Sequence, residues 1–465
     1  MNISSNINEA LNDFKAAVNF DKNFDIVFRD FKMGSQRCGM FALDGEMNGE
    51  VLTHVLKTLM EIKSDKPLSA EDIDKKVIPY IEVDAVTRIE DAATGMFFGS
   101  AIMFVDGVEK AFSIDAKSFP QEKSLQPEKD KSIRGSRDGF SAIPIFNAAL
   151  IRRRIHSKDL SMEKFSVGRK SRSDVIVCYM EGLCDKTLLK DVKEKISKLD
   201  VQGLTMNQET LTENIFPNKW YNPYPRVRYC ERPDEASAAL LEGKIIVIID
   251  NAPAVMILPA LMIDFVREAN DYYFPPITGT YYRFIKYALM LLSLFLTPVW
   301  LVILKNMDSL PEWFKIFEIT DNVAVPVAWQ LIIMEFVLEI IRISTMNTPN
   351  VLGSSIGIVG ALLVGEFAVS SGWLAAETVF YMSFLAISMY ASPNFEYGYA
   401  TKFMRIVLVI LTGLFDEIGL IAGTILLFLL LISTKTVDGK SYLYPFVPFD
   451  GTELKKYSIR NRLKR

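Results

Sequence analysis

The sequence predicts a cytoplasmic α/β N-terminal region, made of two small mixed α/β domains, followed by an all-α polytopic membrane domain. Residues Tyr287 to Leu304 hold no charged side chain, while Arg283 and Lys286 precede this run and Lys305 closes it. Uncharged apolar runs of about 20 residues are typical of membrane spans. Four or five further apolar segments follow, whereas the residues before about 280 are charged and alternate between strand-like and helix-like patterns.

The composition of the chain narrows its function class. Its 465 residues carry a formal net charge of -4, which disfavours a nucleic-acid binder. The first residues lack a basic stretch followed by an apolar run, so we predict no cleavable signal peptide and a head that stays in the cytoplasm. Two histidines and four cysteines without CxxC spacing predict no disulfide framework and no metal site, and we expect no cofactor. The cysteines are Cys38, Cys178, Cys184 and Cys230.

Residues 1–131 are predicted to form the first α/β subdomain, which ends in a polar linker. Phe24 to Phe31 and Cys38 to Gly45 are strand-like, and Glu50 to Ile62 repeats apolar residues at helical spacing. A second helix is predicted over Val83 to Ala93, and two short strands follow it. Because neither a phosphate-binding glycine loop nor a GxSxG motif is present, we expect the chain not to be an enzyme.

Residues 132–280 are predicted to form a second α/β subdomain. A strand over Ser173 to Met180 precedes a charged amphipathic helix over Lys186 to Leu199. The run from Ile245 to Phe265 resembles a membrane span, but Asp250, Asn251, Pro253 and Pro259 interrupt it. The apolar runs Lys244 to Asp250 and Ala254 to Pro259 flank an Asn-Ala-Pro turn. A β-hairpin of two short buried strands fits this pattern better.

A run of basic residues lies in the second subdomain. Such a run is usually a solvated face or a linker, and the alternative is contact with acidic lipid head groups or a neighbouring subunit. Its members are Arg152, Arg153, Arg154, Lys158, Lys164, Arg169, Lys170 and Arg172.

The membrane domain is predicted over residues 281–434, with a basic cytoplasmic tail over 435–465. Its apolar segments cover residues 284–304, 325–343, 351–369, 374–391 and 406–433. Asp416 and Glu417 interrupt the last segment, which predicts a re-entrant or broken hairpin that bends there. We expect four to six crossings, the alternative to six being a helix around Glu335 that lies at the membrane surface. Residues 271–284 are the predicted coupling joint between the head and the first segment.

Basic residues beside these segments predict the orientation. They are Arg283, Lys286, Arg342, Lys402 and Arg405. The sequence from Lys455 onward adds six basic residues and no acidic one. Because cytoplasmic loops carry an excess of lysine and arginine, we expect the head and the tail on the cytoplasmic side.

Charged residues inside the second apolar segment are the first candidates for function. Glu335, Glu339 and Arg342 stand at i, i+4 and i+7, so one helix face carries all three. Ionisable groups at membrane depth cost roughly 2.5–3.5 kcal/mol on insertion scales and usually face a protein interior or water. The segment is therefore either a pore-lining or gating helix or an amphipathic interfacial helix with an internal Glu339–Arg342 salt bridge. Glu366, in the third segment, is a further pore candidate or a residue near the boundary.

The third apolar segment is rich in glycine. Gly353, Gly357, Gly360 and Gly365 include a GxxxG pair, a spacing that lets helix backbones approach closely. We predict tight helix packing within the subunit, with a pore or subunit interface as the alternative.

Several longer motifs resemble the GerA family of endospore germination proteins. They occur in matching order and cover nearly the whole chain after about residue 20. The motifs are SIRGSRDGFSAIPIFNAALIRRRI at 132–155, NPYPRVRYCERPDEASAALLEGKIIVIIDNAP at 222–253, MEFVLEIIR at 334–342, GSSIGIVGALLVGEFAV at 353–369 and SPNFEYG at 392–398. The short tail, with YLYPFVPFD soon after the last membrane segment, resembles the stage V sporulation protein AF branch of the family.

The resemblance implies a protein of the spore inner membrane that acts in germination as a subunit of an oligomeric ion channel releasing cations from the spore core. It implies three kinds of partner: copies of the same chain, other membrane germination proteins and the lipid bilayer. The alternative is a non-conducting scaffold subunit of a germination receptor complex. A conducting protein should turn the Glu335 face towards an aqueous lumen, whereas a scaffold should bury it against a sealed partner.

Family motifs in the head supply interface candidates. The matching residues are Arg134, Gly135, Arg137, Asp138, Glu231, Arg232, Pro233 and Asp234. They are expected to bridge domains or subunits, with a contact inside one chain as the alternative, and the Pro-Asp pair predicts a helix start. The chain departs from the family pattern at Asp138, where glutamate is more usual, and at the acidic pair 416–417, where an apolar turn containing glycine is expected.

Overall fold

The computed structural model describes residues 1–118, 127, 130, 135–216, 220–320, 323–348, 357–360, 362–390 and 394–459. The chain divides into two compact units. The first holds Met1–Asn218 and Val227–Pro259, and the second holds Lys219–Arg226 and Ala260–Arg465. The predicted fold class is confirmed, since the first unit is α/β and the second is helical. The predicted domain boundaries at 131, 280 and 434 stay predictions.

The first sheet is antiparallel, with the strand order β1-β2-β4-β5-β3. Its strands are β1 Ile26–Met33, β2 Gln36–Leu43, β3 Val83–Val86, β4 Ala101–Val105 and β5 Ala111–Ile114. The helices of this part are α1 Ile7–Ala17, α2 Gly49–Met60, α3 Ala70–Asp72 and α4 Ile89–Phe97. Because side chains alternate along a strand, both faces are apolar: α1 and α4 share a core with one face, and α2 shares a core with the other.

The second sheet has the strand order β6-β7-β9-β10-β8 and is also antiparallel. Its strands are β6 Leu160–Val167, β7 Ser173–Met180, β8 Arg228–Cys230, β9 Ile245–Ile249 and β10 Val255–Leu258. The helices are α5 Pro144–Arg152, α6 Lys186–Ser197, α7 Asn207–Ile215 and α8 Pro233–Leu241. The predicted hairpin is confirmed, because β9 and β10 pair directly with Met256 opposite Val247.

The two sheets repeat one topology. Each begins with a hairpin, sends its third strand to the far edge, and ends with two strands that fill the gap. The helix predicted over Val83 to Ala93 is wrong in its first part, since Val83–Val86 pair with β5 at that edge and α4 begins only at Ile89. A helical pattern this short is overridden when an open sheet edge offers backbone partners.

The second unit consists of helices. They are α9 Ala269–Tyr273, α10 Pro276–Lys305, α11 Val327–Met346, α12 Ala368–Ser370, α13 Ala376–Tyr390, α14 Phe395–Ser433 and α15 Gly451–Ser458. Among the described residues, α10 and α14 are long and apolar enough to cross a membrane by length and composition. The start of the third predicted segment, including Gly353, lies outside the described residues, as does Arg134.

The helix α14 is a hairpin of two arms. At Asp416 the backbone leaves the helical region, with φ 53° and ψ -131°. A Cβ on Gly419 would lie 2.0 Å from the backbone oxygen of Leu411, and a Cβ on Gly423 would lie 2.7 Å from Leu408. The second arm therefore runs back along the first, and the predicted bend at this acidic pair is confirmed.

Contacts at both ends of the first arm explain its length. Asn394 caps it by accepting a hydrogen bond from Tyr397 N at 2.8 Å. Lys305, the last residue of α10, pairs with Asp416 at the bend. The arm is therefore about 30 Å long at about 1.5 Å per residue. The apolar segment predicted over 406–433 is therefore part of a longer helix, which begins at Phe395 because the polar residues before the segment are also helical.

Candidate functional site

Five charged side chains from α11 and α14 meet within the helical unit. Glu335, Glu339 and Arg342 come from α11, and Lys402 and Arg405 come from α14; we call this set the charge cluster. Glu335 and Arg405 are each 5% exposed. Each lies about 12–17 Å from both ends of its helix or arm, at about 1.5 Å per residue. The Glu335–Arg405 pair at the centre of the cluster is thus buried at mid-helix, and the other three side chains are half-buried.

Ion pairs connect the cluster into a chain. Arg405 Nη2 lies 2.6 Å from Glu335 Oε1. Lys402 Nζ lies 3.6 Å from Glu335 Oε2 and 2.6 Å from Glu339 Oε2. Arg342 Nη2 donates to Glu339 Oε2 at 2.7 Å, which is the internal salt bridge considered from the sequence. Three cations and two carboxylates leave one positive charge in excess, so most of the charge is neutralised within the cluster.

Further contacts join the cluster to the neighbouring helices. Arg405 Nη1 donates to the backbone oxygen of Ser293 in α10 at 2.7 Å. Arg342 Nη1 lies 3.1 Å from Met389 Sδ in α13, and its guanidinium carbon lies 4.1 Å from the ring centre of Tyr399 in α14. The cluster therefore links four helices of the unit.

Lys402 and Arg405 are site residues that the sequence prediction missed. It used them as loop charges that mark the cytoplasmic side, which is wrong because both are ion-paired inside the first arm of α14. Two signals were available: Asn394 is a good helix cap, and a basic pair at i, i+3 complements the two glutamates at i, i+4 on α11.

A small cavity borders the charge cluster. Its volume is about 40 Å³, and side chains of α10, α13 and α14 line it. Lys402 and Arg405 reach it from the cluster, and Lys286 reaches it from α10. Lys286 Nζ lies 2.8 Å from both Glu268 and Asp271. The cavity thus separates the cluster from a second set of ion pairs at the predicted coupling joint.

The remaining candidates of the third segment lie outside the cluster. Glu366 is exposed in a helical turn. A Cβ on Gly360 would lie 2.9 Å from Ile341 of α11, which is the close packing expected of this glycine. Among the described residues, no atom lies within 4 Å of a Cβ built on Gly357 or Gly365. Packing within the unit therefore accounts for one of these three glycines.

The two head motifs contact each other inside the first unit. Phe140 N donates to the backbone oxygen of Glu231 at 2.9 Å. The buried guanidinium of Arg232 donates to the backbone oxygen of Ser136 at 3.1 Å and lies 2.6 Å from Asp234. These contacts favour the alternative in which the motifs form an interface within one chain.

The other motif residues occupy turns and a helix start. Asp138 pairs with Arg154 of the basic run. Gly135 has φ 105°, a conformation that favours glycine. Pro233 is the first residue of α8, so the predicted helix start is confirmed. Arg137 is exposed and is the motif residue best placed to contact another surface.

Several residues of the basic run form ion pairs with carboxylates of the first unit. Arg152 is 1% exposed and its Nε lies 2.9 Å from Asp25 Oδ2. Lys164 lies 2.7 Å from Asp174, and Arg169 pairs with an aspartate of the same unit. These partners favour a role inside the head over contact with acidic lipids.

A buried carboxyl group, Glu46, lies near the Arg152–Asp25 pair. It is 1% exposed, and neither of its carboxyl oxygens has a hydrogen-bond partner among the described residues. Burial raises the pKa of Glu46 to about 7, although the charge of Arg152 acts in the opposite direction. A glutamate held this way favours its neutral form in the folded protein.

We expect Glu46→Gln to remove a pH-dependent loss of stability. The Glu46 pKa rises from 4.5 to about 7 on folding, so the folded state binds this proton more tightly than the unfolded state. The charged carboxylate destabilises the folded state. This destabilisation is absent below about pH 4.5 and grows as pH rises through 7, to on the order of 3 kcal/mol. Between pH 5 and 8.5, the unfolding temperature should fall less for this variant than for the wild type. Glu50→Gln, at an exposed site, should keep the wild-type slope, and equal slopes for all three proteins would contradict the prediction.

Known proteins are similar to this chain over most of its length. The family model described as Bacillus/Clostridium GerA spore germination protein matches residues 14–465. Stage V sporulation protein AF of Bacillus subtilis (strain 168) is 32% identical over 96% of this chain and 91% of its own length. Spore germination protein KA of the same organism is 27% identical over 94% and 81%, and spore germination protein A1 is 25% identical over 88% and 83%.

The N-terminal part of a spore germinant receptor subunit, known from a crystal structure, is similar to part of the chain. The crystal structure is that of the N-terminal domain of the A subunit of the Bacillus megaterium spore germinant receptor GerK3, and the match covers 56% of this chain and 98% of that one. The identity is 24% and the TM-score is 0.44.

Proposed function

The chain belongs to the GerA family of spore germination proteins, and from that membership we propose that it is a membrane subunit of an oligomeric channel that releases cations from the spore core during germination. Relatives named for sporulation and spore germination support a role in germination. The two membrane-capable helices and the family together support a membrane protein. We propose the spore inner membrane as its location and other membrane germination proteins as partners.

We propose that the head and the tail share the core side of that membrane. This orientation requires an even number of crossings, either the six expected from the sequence or the alternative of four. The six basic residues from Lys455 onward support the core side for the tail.

The charge cluster carries the proposal of conduction. Replacing a buried ion pair by apolar residues is often neutral or stabilising, so helix packing alone does not explain five charges among apolar helices. Ionisable groups at membrane depth commonly mark ion pathways. We propose that the cluster is a closed gate, in which Arg405 and Lys402 neutralise Glu335 and Glu339. Opening would exchange these partners for water and cations.

A non-conducting scaffold is the second candidate, and one observation favours it. Glu335 is buried against Arg405 and Lys402 of the same chain, which is the arrangement expected when this face does not line a lumen. In that case the cluster would only hold α10, α11, α13 and α14 together.

Cation release from spores separates the two functions. We expect spores carrying Glu335→Gln and Glu339→Gln to release monovalent cations at a rate that differs severalfold from the wild type, because neutral side chains hold Arg405 and Lys402 less tightly. Release is normalised to the amount of folded, assembled protein, because the variant also leaves Arg405 buried beside a neutral side chain. Glu312→Gln, at an exposed site outside the cluster, is the matched control. Wild-type release from the double variant would favour the scaffold.

A further inference from the structure

The helical unit carries an elbow, residues 441–450, that exposes apolar side chains. Phe446 and Val447 are exposed, and Phe449 is 76% exposed. The base of the elbow is packed, since Tyr442 is buried in an apolar core of the unit and its backbone oxygen accepts from Met262 N at 3.0 Å. The fold therefore holds these apolar side chains outward.

Backbone contacts fix the elbow at one end of the helices. Tyr442 N donates to the backbone oxygen of Thr434, the residue directly after α14, at 3.1 Å. The elbow leads into α15, where the backbone oxygen of Tyr457 accepts from Arg283 Nη1 near the start of α10 at 2.9 Å. Elbow and α15 thus lie at the end of the unit where α10 begins and α14 ends.

Further aromatic side chains are exposed at this same end. Trp220 is 91% exposed and Tyr221 is exposed, and their segment is tied to α14 because Asn222 Nδ2 donates to Thr434 Oγ1 at 2.7 Å. Tyr281 and Tyr282 are exposed near the start of α10. Tryptophan and tyrosine are enriched where a membrane meets water, so this end of the unit has the side chains of an interface.

The charges beside the elbow have a positive excess, since residues 435–456 hold four lysines against Asp438, Asp450 and Glu453, and Glu453 pairs with Lys456. Lys435, Lys455 and Lys456 are exposed, and the sequence after them to residue 465 adds four basic residues and no acidic one. Basic residues at a membrane surface attract anionic lipids. Apolar side chains flanked by lysines beside the ends of membrane-capable helices match a lipid surface better than a protein surface.

We propose that the elbow is a membrane-interface anchor, in which Phe446, Val447 and Phe449 insert at the boundary between head groups and acyl chains while Lys455 and Lys456 bind anionic head-group phosphates. The proposal rests on the membrane location proposed above. Its occupant is the lipid bilayer.

Spin labels on the full chain test the insertion. Cys184→Ser removes the cysteine that is not buried. In this background Phe449→Cys carries a nitroxide label. The protein is placed in nanodiscs of phosphatidylcholine with a minority of phosphatidylglycerol. We expect this label to be more accessible to oxygen than to a water-soluble nickel complex. Leu429→Cys, exposed in the second arm of α14, gives the matched label within the span.

The two labels distinguish the possible failures. A water-accessible label at 449 beside an oxygen-accessible label at 429 would overturn the anchor and leave the membrane location standing. Water access at both sites would overturn the membrane location as well. A label at 449 that neither reagent reaches would mean that a protein surface covers the elbow.

Spin-labelled lipids test the lysines. We expect the wild type to immobilise a larger fraction of labelled phosphatidylglycerol than of labelled phosphatidylcholine. In the double variant Lys455→Gln, Lys456→Gln, the immobilised fractions of the two lipids should become equal. The control variant Lys190→Gln, Lys198→Gln, at exposed sites of the head, should keep the wild-type preference. An unchanged preference in the first variant would overturn the assignment of these lysines.

Discussion

Replacing Arg405 by leucine is expected to destabilise the protein by on the order of 3–5 kcal/mol, because it removes one partner of a buried ion pair. Glu335 would remain buried with Lys402 as its nearest cation, at 3.6 Å. The backbone oxygen of Ser293 would also lose its hydrogen bond from Arg405. Thermal unfolding of the purified full chain in detergent measures the loss.

A double variant separates the ion pair from the packing around it. With Glu335→Leu and Arg405→Leu together, neither charge is left unpaired, so most of the loss should be recovered. Lys315→Gln, at an exposed ion pair, should change stability by less than about 0.5 kcal/mol. An Arg405→Leu protein as stable as the wild type would show that the buried pair does not form.

Arg152→Met is expected to have a comparable effect in the head, on the order of 3–5 kcal/mol. Asp25 would stay buried without the Nε donor that now lies 2.9 Å away. Asn23 would lose its hydrogen bond from Arg152 Nη2 at 2.9 Å. Because Arg152 ends α5 beside the second sheet and Asp25 directly precedes β1, the variant should also loosen the contact between the two sheets.

Hydrogen exchange of the full chain checks this effect. Protection should fall in β1 and in α5 of Arg152→Met and should recover when Asp25→Leu is added. Lys158→Met, at an exposed site of the same basic run, should leave protection unchanged. Equal protection in Arg152→Met and the wild type would show that the pair does not join the sheets.

Local sequence signals predicted much of the fold. The β9–β10 hairpin follows from two apolar runs around an Asn-Ala-Pro turn, and the bend in α14 follows from Asp416 and Glu417 inside an apolar run. The long uncharged run marked α10. In each case the signal and the structure involve residues close together in the chain.

The remaining features depend on residues far apart in the chain. Glu335 and Arg405 are separated by 70 positions, so the α11 charges could be recognised in the sequence but their partners could not. Arg152 belongs to a basic run that is typical of a solvated face. In the structure it is buried and pairs with Asp25, which lies 127 positions earlier in the chain. The common strand order of the two sheets also depends on pairings that no local pattern specifies.

Single-channel recording of the purified assembly in a planar bilayer tests the proposed conduction. We expect currents carried by monovalent cations, with a conductance or open probability that Glu335→Gln with Glu339→Gln changes and Glu312→Gln does not. A folded, correctly inserted wild-type assembly that passes no current under any condition that triggers cation release in spores would contradict the proposal.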